Sequence, residues 1–435
     1  MFDHDIPIND SGITIVIGEN GLGKTIILEA TNALFSKNFR YFNGLEFDKF
    51  IFEFNDEKPW EITKSNNNGK FTLFISQGIA GRNGKVKLEK LAEISEEDDS
   101  RSQRKEVSSR YWLREIEDVN NLLMDEARRG ENRGLDDHLK FRILRNLTLN
   151  SVYFDRPSAV SPPSWFDRVV ENISIRLIET QRIITAKERG SDAYINSVLK
   201  SSKELTETIA KIEEEASLIA TDLDSTYPTR LVKILNRASE VEPVDLKEKL
   251  SELDLQRRYI SSAGLIEVTQ DQDFLELSGE QRDLMKAMTL YIEDSHRKLD
   301  PYRDVARKIE LFKGIVNKRF KHKRLDVNKK TGFVFTSKIK KSENGKNQTI
   351  SPTKLSSGEQ NELIIFYQLI FNSRPGNIIL IDEPELSLHI SWQNQFINDL
   401  KTVTSINSSS VVIATHSPDI ISDNWDLRVE LQGVE

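Results

Sequence analysis

The 435-residue sequence contains no cysteine. This excludes disulfides and thiolate metal ligands and fits the reducing conditions of the cytoplasm. It also lacks any apolar run approaching the roughly 18 residues of a membrane span. The first ten residues, "MFDHDIPIND", are acidic and have no apolar signal core. Nor is there a cationic excess: 61 Lys and Arg stand against 69 Asp and Glu, a formal net charge of −8. No global field therefore draws the molecule to nucleic acid, and any such contact must come from a local patch. What is present is 37 % hydrophobic residues in a chain long enough for two or three domains with real cores. The expectation is a soluble cytoplasmic protein.

Residues 1–80 alternate strand-like runs with turns. "GITIVIG" reads as a buried strand and "GKTIILEATNALF" as the helix after it. "FDKFIFEF", "WEIT" and "FTLFISQ" read as antiparallel strands separated by the turns "FNDEKP" and "NNNG". Residues 81–140 are highly charged and read as a solvated insertion with one helix from Tyr111 to Ala127. Strand alternation returns in "NISIRLIETQRII". Then Ile195, Val198, Ser202, Leu205, Ile209, Ile212, Ala216, Ile219 and Leu223 recur at steps of three and four, a heptad seam. Polar Ser202 and small Ala216 weaken that seam, so a helical hairpin packing on its own return is expected, with Pro228 and Pro243 punctuating it. More helix runs from about residue 278 to residue 320. Residues 331–435 return to β/α: a hairpin around "ENGK", a helix, and the apolar strands "NIILID" and "VVIATH". The expected organisation is one β/α lobe (1–184), a helical arm (185–330) and a second lobe (331–435).

"GENGLGKT" at residues 18–25 fits G-x-x-x-x-G-K-[ST] between a strand and a helix, the context of a phosphate-binding P-loop. Gly18, Gly21 and Gly23 let the backbone amides of the loop, including those of Glu19, Asn20 and Leu22, turn inward, and the helix N-terminus adds partial positive charge. Lys24 reaches the β- and γ-phosphates, and the Thr25 hydroxyl is placed to ligate Mg²⁺. "NIILIDEP" is an apolar run ending in two carboxylates, the pattern of a central parallel strand delivering Asp382 and Glu383 to the carboxyl edge of a sheet. Asp382 would hold Mg²⁺, and Glu383 would orient and deprotonate an attacking water. "VVIATHSP" repeats the design with His416 just beyond its strand.

Two stretches compete for one role. "LSGEQ" (277–281) and "LSSGEQ" (355–360) both satisfy the helix-start rule S-x-x-[EQ], pairing Ser278 with Gln281 and Ser356 with Glu359. The second opens a helix of about 15 residues that turns at "RPGN" into the Asp382 strand. The first lies in the helical arm, with Glu280 where close approach to a phosphate needs a small residue. The second is therefore expected to be the functional loop, and the first a capped helix start.

This order of motifs resembles the ABC-type ATPases of the SMC/RecF/OLD branch. The resemblance implies an α/β fold: a split ABC-type P-loop ATPase head, with a mixed sheet, helices and an antiparallel β subdomain, interrupted by a helical or coiled-coil insertion. It implies ATP and Mg²⁺ as ligands and a head-to-tail homodimer or higher oligomer sandwiching the nucleotide. Carried over by position, Ser356, Ser357, Gly358 and Glu359 form the signature loop that meets the partner's γ-phosphate, although the family has Gly where Ser357 stands. His416 becomes the switch histidine. Gln181 in "IETQR" becomes the glutamine sensing Mg²⁺, with Gln77 its rival. Ile26 stands where many relatives carry a second hydroxyl, and the strand that opens this lobe in the family is short or missing before Gly18.

A closer resemblance covers most of the chain. "FDHDIPIN", "IETQR", "LDSTYPTRL", "LYIEDSHRKL", "LSSGEQNEL" and "DEPELSLHISWQ" look like the PtuA family, ATPases of Septu-type anti-phage systems also found beside some retrons. That implies a partner HNH nuclease (PtuB-like) controlled by nucleotide state. The chain itself shows no HNH motif, and the residues after His416 are too few for a nuclease domain of the TOPRIM type, so no nuclease site of its own is expected. Residues 297–324 hold eleven Lys and Arg against three Asp and Glu. Such a stripe either meets DNA or retron nucleic acid through phosphate contacts, or is a solvated helix face, or docks on the acidic arm around "KIEEEA". Two further functions stay open: a DNA-repair ATPase clamping DNA with its arm, and a slowly hydrolysing nucleotide-bound scaffold.

Overall fold

The computed structural model describes residues 3–67, 70–78, 87–95, 161–178, 184–185, 195–236, 243–267, 282–342, 344–373, 375–386 and 388–432. In chain order these begin with β1 (Ile13–Ile17), α1 (Lys24–Phe35), β2 (Phe50–Phe52), β3 (Trp60–Asn67), β4 (Lys70–Gln77), β5 (Glu89–Ser95), α2 (Ser164–Asn172) and β6 (Ile175–Ile178). Next come β7 (Ile184–Thr185), β8 (Ile195–Asn196), α3 (Ser197–Leu235), α4 (Pro243–Ser262), α5 (Arg282–Leu299) and α6 (Arg303–Arg319). The chain continues with β9 (Lys323–Asn328), β10 (Gly332–Lys341), β11 (Asn347–Ile350) and α7 (Ser357–Phe371). It ends with β12 (Ile378–Asp382), α8 (Ile390–Asn407), β13 (Ser410–Ala414), α9 (Pro418–Ile421) and β14 (Arg428–Glu430). Of the charged stretch 81–140, only 87–95 is described, containing β5; the helix expected from Tyr111 to Ala127 lies outside the described residues.

The elements form two compact units: residues 1–181 with 374–384 and 408–435, and residues 182–373 with 385–407. The first unit holds a parallel sheet in the order β14-β1-β13-β12-β6. Its three central strands are continuous apolar runs, as strands covered on both faces must be. α1 packs on this sheet, with Leu22 and Leu28 meeting Val16, Leu380, Val412 and Leu431. β2, β3 and β4 form the antiparallel strands that the alternation predicts; β5, from the stretch read as a solvated insertion, pairs with β4 as a fourth strand of the sheet because Leu91 and Ala92 are buried in the core. Its core is aromatic, centred on the fully buried Trp60 with Phe35, Phe54 and Phe166 around it. β14 pairs with β1, and Leu431 N donates to Ile17 O at 2.8 Å.

The second unit is built on α3. Val198, Ser202, Leu205, Ile209, Ala216 and Leu223 are its buried residues in the heptad seam. The seam turns inward onto α5 and α7 of the same unit, as expected of a hairpin arm. Ser202, the polar break in the seam, has a use: its Oγ accepts from Phe333 N at 2.9 Å. A Cβ on Gly332 would lie 2.2 Å from that Oγ, so only glycine lets the β9–β10 turn approach the helix this closely. Pro228 does not punctuate the return; it lies inside the 39-residue α3. Arg230 lies two residues on, donating to the Leu223 carbonyl at 2.7 Å and pairing with Asp294 of α5, so the disturbed turn is tied to its neighbour. Pro243 opens α4, where a missing N–H costs nothing.

Residues 331–373 fall in the same compact unit as helices α3 to α6. The reason is an aromatic cluster in which Phe312 of α6, Phe333 of β10, and Tyr367 and Phe371 of α7 meet ring to ring. The α/β class with a helical insertion expected from the sequence is the one observed. Among the described residues, no helix is long and apolar enough to cross a membrane.

Candidate functional site

Strand register assembles the site. Val16 and Asp382 both pair with Ala414, so β1, β13 and β12 end at one level. One step further, Thr415 N donates to Val16 O at 3.1 Å and Glu383 N to Ala414 O at 2.8 Å. The P-loop, Asp382, Glu383 and His416 therefore leave one carboxyl edge of a parallel sheet, the edge where open α/β sheets bind ligands. His416 is solvent-exposed there.

Between β1 and α1 the loop turns through Gly21 (φ 95°) and Gly23 (φ 88°), conformations that a Cβ would strain. Nothing lies within 4 Å of where a Cβ on either glycine would stand. Lys24 is buried, and its Nζ donates to Gly18 O at 2.6 Å and Glu19 O at 2.9 Å, folding the ammonium over the loop. Thr25 Oγ1 donates to Asp382 Oδ1 at 3.1 Å and reaches Oδ2 at 3.3 Å, although 357 residues separate them. A hydroxyl and a buried carboxylate converging in this way are hard oxygen donors of the kind Mg²⁺ takes. Glu383 adopts φ 42°, a rare conformation for a side-chain-bearing residue, at the point where β12 ends. Such strain persists where surrounding structure enforces it, and here the backbone bond to Ala414 does so.

The signature-like loop lies in the second unit, at the start of α7. Ser356 is its N-cap, and the reciprocal capping box with Glu359 is complete. Ser356 Oγ donates to Glu359 Oε2 at 3.0 Å and accepts from Glu359 N at 3.3 Å. The same carboxylate accepts from Lys323 Nζ at 2.8 and 2.6 Å, so a cation balances the charge nearest the loop. Gln360 Nε2 donates to Leu355 O at 2.8 Å, and its Oε1 accepts from Asn196. One turn further, fully buried Glu362 accepts from Arg319 Nη1 at 2.5 Å, and Arg319 also pairs with Asp399 of α8 and stacks over Phe366. Burial pushes the Glu362 carboxyl up to about 7, against the opposing pull of Arg319; Asp399 is raised for the same reason.

Of the residues singled out in the sequence, the first unit brings together Gly18, Glu19, Asn20, Gly21, Leu22, Gly23, Lys24, Thr25, Asp382, Glu383 and His416. Ser356, Ser357, Gly358 and Glu359 belong to the second unit. Gln181, Ser278 and Gln281 lie outside the described residues, and Gln77 closes β4 of the antiparallel sheet. The basic stripe is mixed: Lys313 and Arg319 are buried, while Arg297, Arg303, Arg307, Lys318, Lys321 and Arg324 are exposed. Seven of its eleven cations sit in ion pairs: Lys298, Arg303, Lys308, Lys313, Arg319, Lys323 and Arg324. Lys298 meets Asp224 on the α3 arm. The role of Arg319 and Lys323 in holding α7 is invisible in one dimension, because their partners lie 36 to 80 residues downstream.

A sequence profile described as AAA ATPase domain matches residues 2–421. No curated protein matches the chain. Among solved structures, an SMC head bound to the C-terminal winged-helix domain of ScpA is similar at 12 % identity, over 95 % of this chain and 85 % of that one, with a TM-score of 0.31.

Proposed function

Because the chain belongs to the AAA ATPase domain family, we propose that it hydrolyses ATP at the sheet edge that joins the P-loop to Asp382 and Glu383. The observation that carries this reading is the contact of Thr25 with Asp382, which closes a hydroxyl–carboxylate pair beside Lys24. Gly18, Glu19, Asn20, Gly21, Leu22 and Gly23 surround the phosphates with backbone amides, and Lys24 swings from its loop carbonyls to neutralise the terminal phosphates. Thr25 and Asp382, with Gln181, hold Mg²⁺, which when bound withdraws charge from the phosphate oxygens. Glu383 orients the attacking water and takes its proton, and His416 stabilises the charge that develops opposite.

At the level of assembly, the proposal is a PtuA-like subunit of a cytoplasmic anti-phage complex. Two copies close head-to-tail around ATP, Ser356, Ser357, Gly358 and Glu359 of one facing the nucleotide of the other, and the closed state controls a partner HNH nuclease. Support for this comes from the chain-wide resemblance and from the intact capping box that rigidifies the loop.

One experiment tests both levels. Glu383→Gln should abolish turnover while retaining ATP, and should shift the protein toward dimer in analytical ultracentrifugation. Ser356→Arg should abolish turnover, leave the affinity of each subunit for ATP intact, and block that dimer. Absence of turnover in the native protein with and without a nuclease partner, together with no effect of Glu383→Gln, would establish the scaffold alternative instead.

A further inference from the structure

A phosphate-binding loop must present amide N–H groups to its ligand and keep carbonyl oxygens away from it, because a carbonyl facing a phosphate is repulsive. In this chain four of the loop carbonyls are held by identifiable donors. Gly18 O and Glu19 O accept from Lys24 Nζ, and Gly23 O accepts from Ile27 N at 2.9 Å within α1. Leu22 O is held from outside the loop: His4 Nε2 donates to it at 2.9 Å.

The consequence follows from peptide geometry. In a planar trans peptide the C=O and the next N–H point in opposite directions. Tying Leu22 C=O to His4 therefore turns the Gly23 N–H the other way, into the loop. Gly23 itself cannot enforce this, since glycine is permissive on both sides of φ and no neighbour lies within 4 Å of its Cβ position. The Leu22 side chain is buried with Val16, Leu28 and Leu431, but a side-chain anchor leaves the peptide that follows it able to rotate. The N-terminal segment is in turn fixed to the same core by Ile6, and by Asn9 N donating to Thr14 Oγ1 at 2.8 Å.

We propose that His4 is a positioning residue for the nucleotide: its Nε2–H latches the Leu22 carbonyl out of the phosphate path and aims the Gly23 amide into it. This rests on the P-loop reading. It assigns the acidic N-terminal segment a direct part in ATP affinity. The latch acts on bound phosphate in ground state and transition state alike, so it belongs to affinity rather than to the chemical step.

The test compares His4→Gln, which keeps an N–H donor, with His4→Leu, which keeps bulk and loses it. Full-length proteins are titrated with a fluorescent ADP analogue, assayed for steady-state ATP turnover, and melted. His4→Leu should weaken ADP binding and raise KM by about five-fold, the loss of one hydrogen bond, while kcat changes by less than about two-fold. His4→Gln should restore most of the affinity. Equal affinity in native and Leu proteins overturns the latch, as does equal weakening by Leu and Gln. A Leu variant that melts early while Gln does not makes His4 a stability residue and also overturns it. If the native protein binds no nucleotide, the P-loop reading falls and the latch with it.

Discussion

Glu362 shows how far a single residue can depart from what its letter implies. In "GEQNEL" it reads as one more polar position on a helix start, yet it is fully buried against Arg319. An unfolded glutamate titrates near 4.5, while burial pushes this one up to about 7. Between those values the folded state holds a proton that the unfolded chain has released, so the contribution of Glu362 to stability declines as pH rises from about 4.5 to about 7 and is level above. Glu362→Gln should flatten that decline, a difference on the order of 3 kcal/mol between the two ends of the window. Thermal melts of both proteins from pH 4.5 to 8 check it, and parallel profiles would show that the carboxyl is not the group responsible. The same scale shows what one dimension can supply. That Thr25 and Asp382 meet was legible as an expectation, because a P-loop pattern opening a helix and an acidic pair ending an apolar strand point to one sheet edge. His4, Arg319 and Lys323 were not, because each acts through a partner set by folding rather than by spacing.

At the level of elements, local rules carried well where they were strong. The S-x-x-E cap of α7, the "ENGK" hairpin between β10 and β11, and the inward seam of α3 all follow from the chain's own pattern. They failed where tertiary contacts override propensity, as at Pro228, which α3 tolerates with Arg230 tying the disturbed turn to α5. Gly264 is a stronger case. It follows α4 at φ 77°, its N–H donates to Ser261 O at 2.9 Å, and a Cβ there would stand 1.9 Å from the Val327 carbonyl of β9. Gly264→Ala must strain the backbone and push two elements apart, so it should cost at least about 2 kcal/mol. Denaturant unfolding measures this, and a change under about 0.5 kcal/mol would mean that the β9 backbone yields freely.

For the whole molecule, the distribution of charge matters more than its sum. The stripe that looks like a nucleic-acid surface serves in part as counter-ions within the fold, while six of its eleven cations are exposed. Arg297, Arg307, Lys318 and Lys321 are its four members outside the ion pairs of the described residues. Changing these four to Glu should leave cooperative melting intact and alter low-salt DNA affinity by less than about two-fold; a loss of ten-fold or more would restore the DNA-contact reading. Changing Arg319 to Glu instead would set a third acid against Glu362 and Asp399 in a buried site and should unfold the unit. The sheet order β14-β1-β13-β12-β6 bears on events before the protein exists as a folded body. Both neighbours of β1 lie roughly 400 residues downstream of it, so β1 leaves the ribosome before the strands that flank it by a wait on the order of 20–80 s at 5–20 residues per second. Through that interval "ITIVI" is an apolar strand with two open edges. Nascent chains of this protein should therefore engage ribosome-associated chaperones early, until β13 and β14 have emerged to cover both edges of β1.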